Sequence, residues 1–177
     1  PNLIGGVILG LVWQFLFSKA LPALPGPFFN SNWLLKETTA FWTLVIVTVW
    51  QLSGYMMIVY VTALMSVNQE VLEASVIDGA TGFKQMLYIK LPLIVPAFTI
   101  SLFLTMRNAF MAYDVNLALT GGGPYRKTEL ISLHVHKEAF GFGNFASGQT
   151  QAVIMFVVIA IASLVQVVIS KRFEVQA

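Results

Sequence analysis

The sequence has no cysteine, two histidines and few charges, with ten basic and eight acidic residues making up 10% of the chain. Without cysteine there is no disulfide framework, zinc ribbon or thiol nucleophile, and two histidines alone do not complete a typical structural zinc site. A soluble domain averages about 25% charged and roughly 45–50% apolar residues, whereas this chain is 57% hydrophobic with a mean hydropathy of +0.78. That balance excludes an ordinary cytosolic enzyme, a disordered chain and a nucleic-acid binder. The net charge of +2 is not gathered into a patch, so it implies no anionic partner. Neither an initiator Met nor a basic segment precedes the opening apolar run. That run is therefore not read as a secretory signal, and the chain is expected to begin partway through a larger membrane protein.

What is present is a set of four long apolar stretches, at residues 3–17, 39–66, 93–119 and 152–169. Lengths near 20 without alternation point to transmembrane helices rather than barrel strands. The third stretch is interrupted by Arg107, Asn108 and Asp114, and the fourth stops at Lys171 and Arg172. The connections differ. Residues 18–38 hold Pro22, Pro25, Gly26, Pro27, Asn30 and Asn32 beside Phe28, Phe29 and Trp33, which is loop chemistry with an aromatic border. Residues 67–91 are polar yet helical in pattern, and 120–148 open with Gly121, Gly122, Gly123 and Pro124. Basic residues are shared almost evenly between the two sides that parity defines, so the positive-inside bias leaves the orientation open.

The 67–92 connection carries the most information. Asn68 is a candidate helix cap, with Glu70 and Glu73 in the early turns where the dipole favours acids. Leu72, Val76, Ala80 and Phe83 recur at helical spacing as an apolar stripe. Asp78 and Gly79 predict an elbow, and Pro92 the entry to the next span. Helix, elbow and helix between two spans make either a docking surface or an amphipathic segment lying on headgroups.

Glu73-Ala74-Ser75, then Asp78-Gly79-Ala80, then Ile89, Leu91 and Pro92 closely resemble the EAA loop that marks the membrane subunits of binding-protein-dependent ABC importers. Trp50, Gly54, Phe110, Asp114, the 120–124 run with Thr128, and Ala139-Phe140 resemble the carbohydrate branch of that family: maltose, multiple-sugar and glycerol-3-phosphate permeases. The sequence departs from the pattern at Ser75 where Ala is usual, Met86 where Phe is common and Lys90 where Thr is common.

The resemblance implies an all-α, polytopic helix bundle of the type I importer permease fold. Residues 1–177 would form one permease domain with about four of six spans. It implies a cytoplasmic coupling loop at 67–92, seated in an ATP-binding subunit, with Glu73, Ala74, Ser75, Asp78, Gly79, Ala80, Phe83, Met86, Ile89, Leu91 and Pro92 as its contact and elbow residues. It places the chain in the cytoplasmic (inner) membrane, with the C-terminus and the 67–92 loop on the cytoplasmic side and 120–148 outside. The expected partners are a second related permease subunit, two ATP-binding subunits, an extracytoplasmic sugar-binding protein and the lipid bilayer, with no nucleic acid. The chain itself is expected to be no enzyme and to bind no cofactor or metal, ATP and Mg being used by the partner subunits.

Other signals are weaker. The run 121–128, GGGPYRKT, imitates a phosphate-binding loop, but Arg126 sits where a glycine must approach phosphate, Pro124 lacks an N–H and no strand precedes it. It is read as an external turn. Arg107 and Asn108, with Gln151, are candidates for a sugar path, because intramembrane polar groups usually face the bundle interior or a wet cavity; an interhelical clamp is the alternative. Asp114 is read as fixing the outer turn, and Gln149 and Gln166 as polar lining or helix glue. His134 and His136, two apart and without a third ligand, are read as a solvated or docking surface. Gly6-x-x-x-Gly10 is read as a close-packing face. Pro92 is read as a helix start rather than a hinge. A secondary transporter or channel, or a membrane scaffold without a conduit, remain the competing classes.

Overall fold

The computed structural model describes residues 1–26 and 31–172; Pro27, Phe28, Phe29 and Asn30 of the expected aromatic loop lie outside them. Among the described residues the regular structure is helical, with no strand. The helices are α1 (Gly6–Phe15), α2 (Glu37–Met65), α3 (Gln69–Ile77), α4 (Phe83–Gln85), α5 (Leu91–Leu93), α6 (Val95–Phe110), α7 (Tyr113–Leu119), α8 (Ile131–His136) and α9 (Phe145–Lys171). By length and composition, Gly6–Ala23, Glu37–Met65 and Phe145–Lys171 are long and apolar enough to cross a membrane. The pair Phe83–Leu93 and Val95–Phe110 adds a fourth span if the two are taken together across their 65° bend.

Several boundaries differ from the sequence reading, and proline explains two of them. The first helix does not end at residue 17: α1 continues through a π-helical turn, Leu16–Ala20, and a 3-10 turn, Leu21–Ala23. A second π turn, Met86–Lys90, leads into α5. These two π turns lie just ahead of a proline, Pro22 or Pro92, whereas a third, Lys137–Gly141, has none after it. A proline has no N–H to give and its ring crowds the carbonyl four residues back, and the wider i→i+5 turn relieves that crowding: Leu21 N–H reaches Leu16 C=O and Leu91 N–H reaches Met86 C=O. Pro92 is therefore inside a helical run, not at its start. The break falls at Ile94 (φ −96, ψ 11), before α6. There Pro96 occupies the first turn, where a missing N–H does no harm.

The third span also stops earlier than residue 119. Tyr113 N–H donates to Met111 C=O at 2.8 Å across Ala112 at φ −74, ψ 62. This is an inverse γ-turn, and it redirects the chain into α7.

The contacts divide the chain into two units, residues 1–53 with 108–159, and 54–107 with 160–177. In the first unit α1 lies against α7. A Cβ on Gly6 would stand 2.7 Å from Asp114 Cβ, and one on Gly10 would stand 2.6 Å from Ala118 Cβ, so the small-residue pair is a packing face as its spacing implied. Leu9, Phe17, Leu44, Val47, Val115 and Leu119 form the core, and Trp13 stacks on Phe17 at 5.4 Å and meets Trp50 edge-on at 5.4 Å.

The second unit is joined more by polar bonds. Tyr60 OH pairs with Ser101 Oγ, and the Tyr60 and Phe98 rings lie 4.9 Å apart. Gln166 Nε2 of α9 donates to Thr99 C=O of α6 at 3.3 Å, so Gln166 acts as helix glue. Within hydrocarbon, where lipid competes for every apolar contact, such bonds are what distinguishes one helix pairing from another.

Candidate functional site

The elbow between α2 and α6 is built as its sequence suggested and contains more than the sequence showed. Asn68 caps α3, its Oδ1 accepting Glu70 N–H at 2.9 Å. Glu73 is exposed and accepts from Gln69 Nε2 at 3.3 Å. Ala74 C=O takes Asp78 N–H at 3.1 Å, and Asp78 closes the helix as its C-cap. Gly79 then turns left-handed at φ 79, a conformation that L side chains adopt at a penalty. Ala80 N–H returns to Ser75 C=O at 2.8 Å. A second left-handed glycine, Gly82 at φ 55, opens the next helix at Phe83. The proposed stripe of Leu72, Val76, Ala80 and Phe83 is therefore split: α3 ends at Ile77, and two glycine turns separate it from Phe83. What the elbow presents instead is an apolar knob of exposed side chains, Ile77 87% and Phe83 79% exposed, with Val76 and Met86 exposed to a lesser degree. Ile89, Leu91 and Pro92 are half-buried along the outgoing helix.

Ser75 is the buried member of this group. Its Oγ donates to Leu72 C=O at 2.7 Å and accepts from Gln85 Nε2 at 2.8 Å, while the same Nε2 donates to Leu72 C=O at 3.0 Å. Gln85 carried no signal in the sequence, since its partners lie 10 and 13 residues away across two turns.

The residues suggested for a substrate path separate. Asn108 lines a cavity of about 220 Å³ in the first unit with Thr48, Gln51 and Asp114, so Asp114 faces the cavity as well as sitting in the first turn of α7. Gln151 lines a different cavity of about 270 Å³, walled by Phe110, Ile131, Ile154 and Val158. Its Nε2 donates to Ser147 Oγ at 3.1 Å, and its Oε1 is buried without a partner. Arg107 is exposed.

The 120–130 turn is held by Thr128, Arg126 and His134 together with Asn116 and Glu129, two side chains that the sequence reading did not single out. Asn116, fully buried, donates through Nδ2 to Thr128 C=O at 2.8 Å and accepts Leu130 N–H at 3.1 Å. Thr128 Oγ1 donates to Gly123 C=O at 2.6 Å. Glu129, its side chain 5% exposed, receives Arg126 Nε and Nη2 at 3.0 Å each, and Lys137 Nζ stands 3.4 Å away. The hydrogen bond from Arg126 holds the Glu129 carboxyl down to about 2, against the opposing push of burial, with His134 and Lys137 helping. His134 Nδ1 lies 3.0 Å from Glu129 Oε1 and 2.8 Å from Arg126 Nη2; it donates to the first or accepts from the second according to its tautomer. His136 lies between the Tyr113 and Phe140 rings, at 4.6 and 5.0 Å. Both histidines are thus partnered, while the His134 side chain stays 38% exposed. Among the described residues no three His, Cys, Asp or Glu side chains gather as a metal site.

A family model described as the inner membrane component of binding-protein-dependent transport systems matches residues 1–175. The chain belongs to that family. This permease chain is 43% identical over 179 residues to a probable starch degradation products transport system permease protein of Thermoanaerobacterium thermosulfurigenes, covering 99% of itself and 61% of that protein. It is 29% identical to a multiple sugar-binding transport system permease protein of Streptococcus mutans, of which it covers 62%. It thus spans about three fifths of the length of these curated relatives. Its fold is that of a chain in a crystal structure of a bacterial ABC transporter involved in the import of the acidic polysaccharide alginate. The TM-score is 0.81 at 20% identity, covering 97% of this chain and 62% of the other.

Proposed function

We propose that residues 1–177 form one permease domain of a subunit that passes a sugar or oligosaccharide across the cytoplasmic membrane, driven by ATP hydrolysis in separate subunits. The observation that carries this reading is the elbow at 67–92, a capped helix and a bent span joined by two left-handed glycines and bearing an apolar knob that nothing in the described chain covers. A membrane protein exposes such a patch toward water where a partner seats on it. The knob, with Glu73 through Pro92, is taken as the seat in a cytoplasmic ATP-binding subunit, which puts residues 120–148 outside, on the side of a sugar-binding protein. Sugar as cargo is supported by relatives named for starch degradation products and for multiple sugars. A second, related permease subunit would complete the pathway, and Asn108 with Thr48, Gln51 and Asp114 supplies hydrogen-bonding groups suited to line it. On this reading the nucleotide is held by the partner subunits.

The test is uptake of labelled maltotriose into liposomes containing the full-length subunit and its partners, with ATP inside. Gly79→Pro forces φ to about −65° where the elbow needs 79° and removes an N–H bonded to Val76 C=O. It should abolish both uptake and sugar-stimulated hydrolysis while the protein still inserts. Uptake that ignores the substitution would assign the chain to secondary transport instead.

A further inference from the structure

The two arms of the elbow are tied together at one side chain. Between α3 and the helix that begins at Phe83 run five residues, and two of them are left-handed glycines. The backbone bonds here close α3 (Gly79 N–H to Val76 C=O, Ala80 N–H to Ser75 C=O) or open the next helix (Lys84 N–H to Thr81 C=O, Met86 N–H to Gly82 C=O). None of these joins one arm to the other. Among the described residues, the hydrogen bonds that do are both made by Gln85 Nε2, to Ser75 Oγ at 2.8 Å and to Leu72 C=O at 3.0 Å. Ser75, 5% exposed, is shut from water and turned into this junction by its own bond to Leu72 C=O at 2.7 Å. A Cβ at Gly79 or Gly82 would meet nothing within 4 Å, so neither glycine is held by packing. A linker of that kind, left to itself, bends under load.

We propose that Ser75 and Gln85 are positioning residues that clasp the elbow. A displacement imposed on the knob at Ile77 and Phe83 then reaches the following span as rigid-body movement instead of being absorbed at the two glycines. This rests on the coupling role proposed above. The hydroxyl at position 75, where the resembling family usually has alanine, is the part of the clasp that departs from the family pattern. Buried polar groups with satisfied bonds define one geometry among several of similar packing, which is what a force-bearing joint requires.

The test measures maltotriose transported per ATP hydrolysed, and retention of the ATP-binding subunits, in liposomes holding the complete assembly. Ser75→Ala leaves the bond from Gln85 to Leu72 C=O and should lower transport per ATP roughly twofold. Gln85→Leu removes both cross-links and should lower it about fivefold to tenfold, in line with one and two hydrogen bonds. The ATP-binding subunits stay bound in both, because within that seat Ser75 is buried and Gln85 Nε2 is turned into the junction, while the exposed Ile77 and Phe83 are unchanged. Gln85→Lys, which keeps a donor of similar reach, should restore most of the loss. Unchanged transport per ATP in Gln85→Leu, with Gly79→Pro still uncoupled, overturns the clasp and leaves the coupling role standing. Unchanged transport in both overturns the coupling role. Loss of the ATP-binding subunits with the ratio intact would make Gln85 a contact residue and overturn the clasp.

Discussion

Acid should loosen the 120–130 turn through Glu129. Its carboxyl ordinarily titrates at 4.5 and is held at about 2 in the fold, so the folded state binds this proton less readily than the unfolded chain. The stability it supplies is complete above about pH 4.5 and is lost as the pH falls toward 2. Because Arg126 is 65% exposed, water screens part of the pair and the contribution is taken as about 1 kcal/mol. Glu129→Gln keeps the shape, and it should lower thermal stability in detergent by that amount at pH 7. It should also flatten the stability profile between pH 4.5 and 2; a profile identical to the parent's would mean the carboxylate holds nothing. At this scale the sequence was unevenly legible. Asn68 could be read as a cap because its partner is two residues on. Gln85, Asn116 and Glu129 could not, since their partners are chosen by turns whose course no local pattern encodes. Asn108 and Gln151 stood out alike as polar groups in apolar runs, yet the first faces a polar cavity and the second an apolar one.

Helices were legible where periodicity and length agree, and misjudged where a break depends on one dihedral. The long span α2 matches its apolar run to within a few residues, and α9 starts seven residues earlier than its run, with Gly148 in its first turns where a Cβ would stand 2.6 Å from Ala139 Cβ. The turn at Ala112 has no glycine or proline to announce it. Prolines announced bends but not their positions, since the π turns shift the strain to the residues beside them. The contact of α1 with α7 gives a direct test. At Gly10 a side chain would enter Ala118 Cβ at 2.6 Å and Leu119 N at 3.1 Å, whereas Gly5 has nothing within 4 Å. Gly10→Leu should lower the thermal stability of the reconstituted subunit by about 1–3 kcal/mol, the usual penalty of overpacking. Gly5→Leu should leave it nearly unchanged, and equal effects of the two would refute the close packing.

For the molecule as a whole, the family and the number of spans were readable from apolar runs and the elbow, while the orientation rested on resemblance because the basic residues are balanced. Absence of cysteine from these 177 residues makes the orientation measurable. Tyr125→Cys sits on an 85% exposed side chain of the 120–130 turn and should react with a membrane-impermeant maleimide added to intact cells. Lys84→Cys, exposed in the elbow, should react only after the cells are opened; the reverse pattern would invert the proposed topology. The π turn at Met86–Lys90 sets something larger than a local bond. It is an α-helix that has taken up one surplus residue, and each residue of an α-helix advances the azimuth by about 100°. A one-codon deletion there would remove the surplus residue, press the Pro92 ring back onto the carbonyl four residues before it and, in the same stroke, swing the helix after it to a different azimuth. Chain length in this short stretch is therefore a heritable compass bearing for the span that follows, adjustable by indel where no point substitution could make so large a turn.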